Sequence, residues 1–147
     1  MNDNKKYPIP NDLYYDGNHH MWARLELRDR VVVGIDALGL QSLGELAYIS
    51  LHEVGKTVKR GRSVGALEAA KMTGDLIAPV TGILVDRNEE VLSDPTLVNE
   101  EPYGRGWLVA IEPSEWEAES VQLIHGEALT NWVSSEIERY KSQGWIA

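Results

Sequence analysis

Hydrophobic and polar residues alternate along the first half of the chain with the two-residue period of a half-buried strand. Ala23, Leu25 and Leu27 alternate with charged residues, so the first strand is predicted to begin at Met21. Further short runs that are rich in apolar and β-branched residues and bounded by turn-forming residues predict strands at 31–35, 46–51, 63–69, 74–78, 82–87 and 107–112.

Helical signals are fewer and lie in two places. Asp36 is a suitable N-cap and Gly44 a suitable stop, so a short helix is predicted near 36–43. After Pro113, the capping-box spacing of Ser114 and Glu117 predicts a helix at about 114–124, and apolar residues at helical spacing predict another at about 127–143. The sequence therefore predicts a mainly β fold, a flattened barrel or sandwich. Residues 14–147 are predicted to form a single domain behind a flexible arm at 1–13.

The composition is that of an ordinary globular domain. The 147 residues are 43% hydrophobic, enough for one domain with a buried core. No run approaches the length of a membrane-spanning helix, and the N-terminus lacks the apolar centre of a signal peptide. A cytoplasmic protein without a membrane partner is therefore expected.

Charge and cysteine content exclude several functions. Residues 86–138 carry thirteen acidic side chains against two arginines, and the net charge is −9, which disfavours nucleic acid as a partner because phosphate binding requires clustered cations. The chain contains no cysteine, so any thiol chemistry requires an attached cofactor. The four histidines have no companions at metal-ligand spacing, and no metal site is expected.

Lys71 is the candidate functional residue. It lies between the predicted strands 63–69 and 74–78, at the crest of a hairpin where a modifying enzyme can reach its amine. The simplest alternative is a solubilising charge. A Schiff-base lysine is disfavoured, since that chemistry requires a desolvated amine in a pocket. No catalytic residue is therefore predicted.

The residues around Lys71 carry a family resemblance. Val54, Gly55, Val58 and Gly61 precede the lysine, Ala78-Pro79-x-x-Gly82 follows it, and the block Pro102-Tyr103-Gly104-Arg105-Gly106-Trp107 lies further on. This pattern, over roughly residues 14–125, resembles the H protein of the glycine cleavage system, a lipoyl carrier. The resemblance implies a lipoyl/biotinyl carrier fold without catalytic activity of its own.

The same resemblance implies that lipoate is attached covalently to Lys71. Glu68 and Asp75 flank the lysine, and we expect them to contribute to recognition by a lipoate-protein ligase or lipoyl transferase. Biotin is the alternative cofactor: biotin carriers have Ala-Met-Lys-Met, and Met72 matches that pattern while Ala70 does not. Glu68 and the Pro-Tyr-Gly block favour lipoate.

Two motifs depart from the common H-protein pattern. Glu-Ser-Val-Lys-Ala is replaced by Glu68-Ala-Ala-Lys71-Met, and His-Glu-Trp is replaced by His20-Met21-Trp22. With the tail at 138–145, these features resemble the lipoate-binding proteins of the heterodisulfide-reductase-like sulfur-oxidation system. That resemblance implies a sulfur cargo and the heterodisulfide-reductase-like complex as partner. The alternatives are a glycine cleavage H protein that carries an aminomethyl group between the P, T and L proteins, and an unmodified binding protein of the same fold.

Overall fold

The computed structural model describes residues 6–27 and 29–147. Its strands are β1 Tyr14–Asp16, β2 Met21–Glu26, β3 Arg30–Ile35, β4 Leu46–Leu51, β5 Thr57–Val58, β6 Ser63–Ala69, β7 Thr73–Ile77, β8 Gly82–Arg87 and β9 Val109–Pro113. Its helices are α1 Ala37–Leu43, α2 Glu89–Ser93, α3 Thr96–Glu100, α4 Trp116–Ser120 and α5 Ala128–Ser142.

The strands form two antiparallel sheets that face each other. One has six strands in the order β1-β2-β3-β9-β8-β5, and the other has three in the order β4-β6-β7. Their facing sides enclose the main core, to which both sheets contribute; among its members are Val31, Val33, Leu46, Ile49, Val64, Leu67, Leu84 and Ile111. The predicted mainly β sandwich is confirmed.

Strand β3 shows why a continuous apolar run replaces strict alternation here. Val31 and Val33 point into the main core, whereas Val32 points to the opposite face of the sheet, because successive strand residues face opposite sides. On that opposite face Val32 packs in a second cluster that includes Trp22 and Leu129 of α5. The C-terminal helix therefore covers the outer face of the large sheet.

Helix α1 forms as its end signals predict. The Asp36 side chain accepts a hydrogen bond from the backbone N–H of Gly39 at 2.8 Å. Gly44 has φ of +79°, a conformation in which a residue without Cβ is not strained, and its N–H donates to the Leu40 carbonyl at 2.9 Å. The predicted bounds 46–51, 63–69 and 82–87 also agree with β4, β6 and β8.

Other elements differ from the prediction. Strand formation starts earlier than Met21, since β1 at Tyr14–Asp16 pairs with β2. Strand β5 and helices α2 and α3 were not predicted; they are short and lack a strong period. Helix α4 spans only Trp116–Ser120, and its N-cap residue Glu115 makes no side-chain cap hydrogen bond, so the capping-box prediction at Ser114 is wrong. The Glu119 carboxylate instead accepts two hydrogen bonds from Thr81.

Residues 1–5 of the predicted flexible arm lie outside the described residues. In the described part, Tyr7 and Leu13 are buried, and Tyr7 packs in a cluster with Leu38 of α1 and Val133 of α5. The flexibility of this segment remains a prediction. Within residues 6–27 and 29–147, no helix combines the length and apolar character needed to cross a bilayer.

Candidate functional site

Strands β6 and β7 form the hairpin that carries the candidate lysine, and residues 63–77 are called the lysine hairpin below. Lys71 lies in its turn, which is closed by a hydrogen bond from the Ala69 N–H to the Met72 carbonyl at 2.9 Å. Ala70, Lys71 and Met72 are all exposed. The tip of the hairpin therefore presents the lysine to solvent.

Backbone hydrogen bonds fix this tip against the C-terminal end of α1. The Lys71 N–H donates to the Leu43 carbonyl at 3.0 Å, and the Ala70 N–H donates to the Glu45 carbonyl at 2.9 Å. The last carbonyls of a helix have no partner within it, so the bond to Leu43 satisfies a carbonyl that α1 leaves free. The lysine is exposed, but its backbone is rigidly placed.

The side chain of Lys71 also contacts α1. Its Nζ donates to the Gln41 carbonyl at 2.8 Å, a favourable place for a cation because the helix dipole is negative at its C-terminal end. The aliphatic stem passes over Gly44, where an added Cβ would lie 3.3 Å from Lys71 Cγ. An amide formed at Nζ keeps one N–H, so an acyl group on this lysine is compatible with the same contact.

The predicted recognition residues lie on one face of the small sheet. Glu68 of β6 is paired with Thr73 of β7, and Asp75, two residues after Thr73, is paired with Ala66. The two carboxylates are therefore diagonal neighbours across adjacent strands. Both are exposed. No hydrogen bond or ion pair is found for either carboxylate within the described part of the chain, which leaves both free for a partner protein.

Tyr48 belongs to the same face and was missed from the sequence. It pairs with Glu68 from strand β4, is 56% exposed, and lines a shallow groove with Glu68, Thr73 and Asp75. Alternation along β4 did not reveal it, because Tyr48 lies two residues after the buried Leu46 and only the register shift between these two residues turns it to the exposed side. The lysine tip is therefore flanked by an aromatic side chain and two carboxylates.

A buried polar cluster lies behind α1 and is formed by His20, Asp36 and Glu136. His20 Nδ1 is 2.8 Å from Asp36 Oδ2, and His20 Nε2 is 2.7 Å from Glu136 Oε1. The imidazole is also stacked on Trp132, with ring centroids 5.3 Å apart. We call these three residues the carboxylate–histidine cluster.

Protonation of this cluster follows from its geometry. Burial lowers the pKa of His20, but the hydrogen bonds and charges of Asp36 and Glu136 outweigh it and raise the pKa above its usual value. The pKa of Glu136 is lowered, first by its hydrogen bonds with Arg139 and then, against the effect of burial, by those with His20. Through these hydrogen bonds His20, which directly precedes β2, joins the N-cap of α1 to helix α5, and its raised pKa favours the imidazolium form.

A cavity of about 300 Å³ lies between this cluster and the lysine hairpin. We call it the lysine cavity. Its apolar lining comes from both sheets and α1, and its outer wall comes from Met72 and the C-terminal residues Arg139, Tyr140 and Trp145. Sequence reasoning did not predict this wall, because its C-terminal members are 68 to 74 residues away from Lys71 in the chain.

A second cavity, of about 470 Å³, lies on the other face of α1. Lys71 and Gln41 line it together with Tyr7 and Asn99. Residues 37, 41 and 44 face this cavity, while 39, 42 and 43 face the lysine cavity, as the helical period requires. Lys71 therefore lines the second cavity, and its neighbour Met72 lines the lysine cavity.

Comparisons with known proteins agree with this architecture. The family model described as "Glycine cleavage H-protein" matches residues 13–136. The chain is 36% identical to glycine cleavage system H protein 2 of Aquifex aeolicus over 131 residues, which cover 89% of this chain and 81% of that protein. It is 38% identical to glycine cleavage system H protein of Carboxydothermus hydrogenoformans, with coverage of 88% and 98%.

A solved structure is similar to this chain in the same way. The crystal structure of a glycine cleavage system H protein from Mycobacterium marinum superposes with a TM-score of 0.76 at 32% identity, and the match covers 87% of this chain and 98% of that one. Both the two-sheet architecture and most of the chain are therefore shared. This chain belongs to the glycine cleavage H-protein family.

Proposed function

We propose that Lys71 carries a lipoyl group and that the protein is a carrier in a multienzyme system. Glycine cleavage H proteins carry lipoate on a lysine and are not themselves catalytic. The observation that carries the proposal is the position of Lys71, exposed at the tip of the lysine hairpin and fixed by backbone hydrogen bonds to α1. The described lysines other than Lys71 lie elsewhere in the chain, including Lys56 and Lys59 in the β4–β6 segment and Lys141 on α5.

The attached group would supply the chemistry that the chain lacks. A lipoyl dithiolane opens on reduction to two thiols, which accept and release a cargo, and the chain has no cysteine that would compete with them. Its own residues present the arm: α1 orients the tip of the hairpin, and Gly44 leaves room for the stem of Lys71. The protein then moves a bound intermediate between partner active sites.

We propose that the face formed by Tyr48, Glu68 and Asp75 is read by the enzyme that attaches the cofactor, a lipoate-protein ligase or lipoyl transferase. Two carboxylates that have no ion-pair partner among the described residues suit a basic surface on that enzyme. Their exposed position means that they contribute little to folding. Recognition and stability are therefore separable at these positions.

The cargo has two candidates. The names of the matched relatives favour glycine cleavage, in which an aminomethyl group is carried and the P, T and L proteins are the partners. The departures at Ala69-Ala70-Lys71-Met72 and His20-Met21-Trp22 are the observation that favours the second candidate, transport of a sulfur species for a heterodisulfide-reductase-like complex. An unmodified binding protein of this fold is the further alternative. The cytoplasm is the expected location for each.

Intact-mass measurement tests the attachment. The wild-type chain, expressed in a host with a lipoate ligase, should gain one lipoyl mass increment, and Lys71→Arg should gain none while folding normally. Lys59→Arg, which changes another exposed lysine, should be lipoylated like the wild type. A lipoyl increment on the Lys71→Arg chain would refute the proposed site.

Two assays then separate the cargoes. The lipoylated protein is offered to glycine decarboxylase with glycine and labelled bicarbonate, so that label exchange reports aminomethyl transfer. Thiosulfate oxidation is followed in a sulfur-oxidising host whose own copy is replaced by Lys71→Arg. Exchange with unimpaired sulfur oxidation establishes glycine cleavage, whereas loss of sulfur oxidation without exchange establishes the sulfur carrier.

A further inference from the structure

One position in the lining of the lysine cavity differs in charge from the common H-protein motif. The common motif His-Glu-Trp becomes His20-Met21-Trp22 in this chain, and Met21 lines the cavity with only 2% of its surface exposed. A thioether bears no charge, so this part of the lining has no carboxylate to pair with a cationic cargo. The substitution changes the charge of the cavity without changing the backbone of β2.

The opposite wall of the same cavity supplies a cation. Arg139 donates from Nε and Nη2 to the Glu136 carboxylate at 2.9 and 2.8 Å, and its guanidinium lies over the rings of Tyr140 and Trp145 at 5.2 and 5.6 Å. These contacts hold the guanidinium in one orientation. Its Nη1 has no hydrogen-bond partner within the described part of the chain and its Nη2 keeps a second N–H, so three of the five donors remain and the edge formed by Nη1 and Nη2 can bind a ligand.

The other charges near the cavity are paired or exposed. Glu136 is shared by His20 and Arg139, and Asp36 is bound to His20, so two carboxylates face two cations. His19 pairs with Asp16 at 2.9 Å. Asp75 lies at the hairpin side and is exposed, and the Arg139 side chain is itself 45% exposed, so solvent screens both charges. Arg139 is therefore the charged group of the lining that has both a fixed position and free donors.

The remaining lining suits a hydrocarbon arm. Buried side chains from both sheets form the floor, among them Met21, Ile35, Leu67 and Leu76. The volume of about 300 Å³ is that of a small-ligand pocket. Arg139 and Trp145 lie beyond residue 136, where the match to the family model ends, so the cationic wall belongs to the C-terminal part of this chain.

We propose that the lysine cavity receives the cargo-bearing end of the arm attached at Lys71 and prefers an anionic cargo, such as a carboxylate or a sulfur oxyanion, with Arg139 as the residue that determines this preference. The inference rests on the proposed function, because it concerns what the arm carries. A guanidinium donates two parallel hydrogen bonds to an oxyanion, and an ammonium cargo would meet like charge at the same place.

A synthetic arm tests this preference without the lipoylation machinery. Since the chain has no cysteine, Lys71→Cys introduces a single thiol, which is alkylated with an ω-bromoalkanoic acid, its amide or the matching ω-bromoalkylamine. One chain length is used for all three, chosen to restore the reach of lipoyl-lysine. The three products then differ in the charge of the arm's end and in little else.

Nuclear magnetic resonance reports docking at named groups. The carboxylate arm should shift the signals of the Trp145 indole N–H and the Arg139 Nε–H, with a docked population roughly tenfold above that of the amide arm, the ratio expected for one charge-assisted hydrogen bond. The ammonium arm should dock least. Equal shifts for all three arms, or shifts confined to Tyr7 and Asn99 of the second cavity, would overturn the proposal.

Arginine variants in the same background identify the source of the preference. Arg139→Gln should abolish the difference between the carboxylate and amide arms, and Arg139→Lys should restore part of it by restoring the charge. Arg105→Gln is the matched control, an exposed arginine paired with Glu90 and Glu101 and absent from the cavity lining, and should leave the preference intact. A preference that survives Arg139→Gln would refute the role of this residue.

The outcome is independent of the attachment test. Absence of a lipoyl increment on the wild-type chain would refute the proposed function, yet the alkylated arms would still report the charge preference of the cavity. Conversely, lipoylation at Lys71 with no charge preference would leave the carrier function standing and refute the cargo inference. The two failures are therefore distinguishable.

Discussion

The lysine hairpin and the carboxylate–histidine cluster are both polar and both contact α1, but they are built in opposite ways. At the hairpin tip, backbone hydrogen bonds fix the chain, Glu68 and Asp75 extend into solvent, and Lys71 is exposed with one hydrogen bond from Nζ to the Gln41 carbonyl. In the cluster, His20 is 4% exposed and makes hydrogen bonds through both ring nitrogens. Side chains that serve partners are left available, and side chains that hold elements together are buried and fully paired.

This difference has an energetic consequence. A buried charge that loses its partner keeps its desolvation cost, whereas an exposed carboxylate is already hydrated and is screened by solvent. We therefore expect substitutions in the cluster to act on folding and substitutions at the hairpin to act on modification.

The largest effect is expected for His20→Ala. Its removal leaves Asp36 buried without its main cationic partner and removes one partner of Glu136, so the free energy of unfolding should fall by about 3 kcal/mol or more. Urea denaturation monitored by tryptophan fluorescence measures this loss. His19→Ala is the adjacent control: its ring is 42% exposed and pairs with Asp16, and its loss should cost less than about 1 kcal/mol. Equal losses for both variants would contradict the structural role of the cluster.

Gly44→Ala is expected to affect both folding and modification. A Cβ at φ of +79° is strained, and it would lie 3.3 Å from Lys71 Cγ, so stability should fall by roughly 1–2 kcal/mol and lipoylation should slow. Gly55→Ala separates the two causes, because Gly55 has φ of +98° but no atom within 4 Å of its Cβ position. It should lose similar stability and be lipoylated at the wild-type rate. The interpretation is wrong if Gly55→Ala slows lipoylation equally.

Stability should also depend on pH through the cluster. The pKa of His20 is raised above 6.5, so its contribution is complete below pH 6.5 and is lost as pH rises through the pKa of the folded state. The slope is at most about 1.4 kcal/mol per pH unit for one proton. Urea titrations of wild type and His20→Ala at several pH values measure the difference, which should shrink with rising pH.

The contribution of Glu136 to the free energy of unfolding has the opposite pH dependence, and it changes at acid pH. Its pKa is lowered from 4.5, so its contribution is complete above pH 4.5 and is lost as pH falls through the lower pKa of the folded state. The cluster should therefore stabilise the fold most between about pH 4.5 and pH 6.5. If the difference in the free energy of unfolding between wild type and His20→Ala increased above pH 6.5, a charged His20 in the folded state would be excluded.

The smallest effect on stability is expected at the exposed carboxylates. The double variant Glu68→Ala, Asp75→Ala should change the free energy of unfolding by less than about 0.5 kcal/mol and slow lipoylation, as measured by intact mass over time with purified ligase. Glu53→Ala, Glu117→Ala removes two exposed carboxylates elsewhere and should be modified normally. Normal modification of the first variant would disprove the recognition role.

Local signals predicted the elements that present Lys71. Asp36 and Gly44 delimit α1, and the strand-like run at 63–69 with its flanking turn residues predicted β6, since capping and turn signals act over a few residues. The same local reasoning failed at Ser114, where the Glu119 carboxylate binds Thr81 of another loop. It also missed β1, which is only three residues long and exists through its pairing with β2.

The sequence by itself determined that this is a chain of the lipoyl-carrier type with one candidate lysine. The family motif, the turn that contains Lys71 and the two strand-like segments beside it all lie within a short stretch of the chain. Only the tertiary structure decided which distant groups meet. His20 and Glu136 are 116 residues apart, Tyr48 reaches Glu68 through sheet pairing, and Arg139 reaches the lysine cavity through the packing of α5. Such contacts depend on how whole elements pack, and the free energy of that packing comes from the shared core and is not recorded in any local pattern.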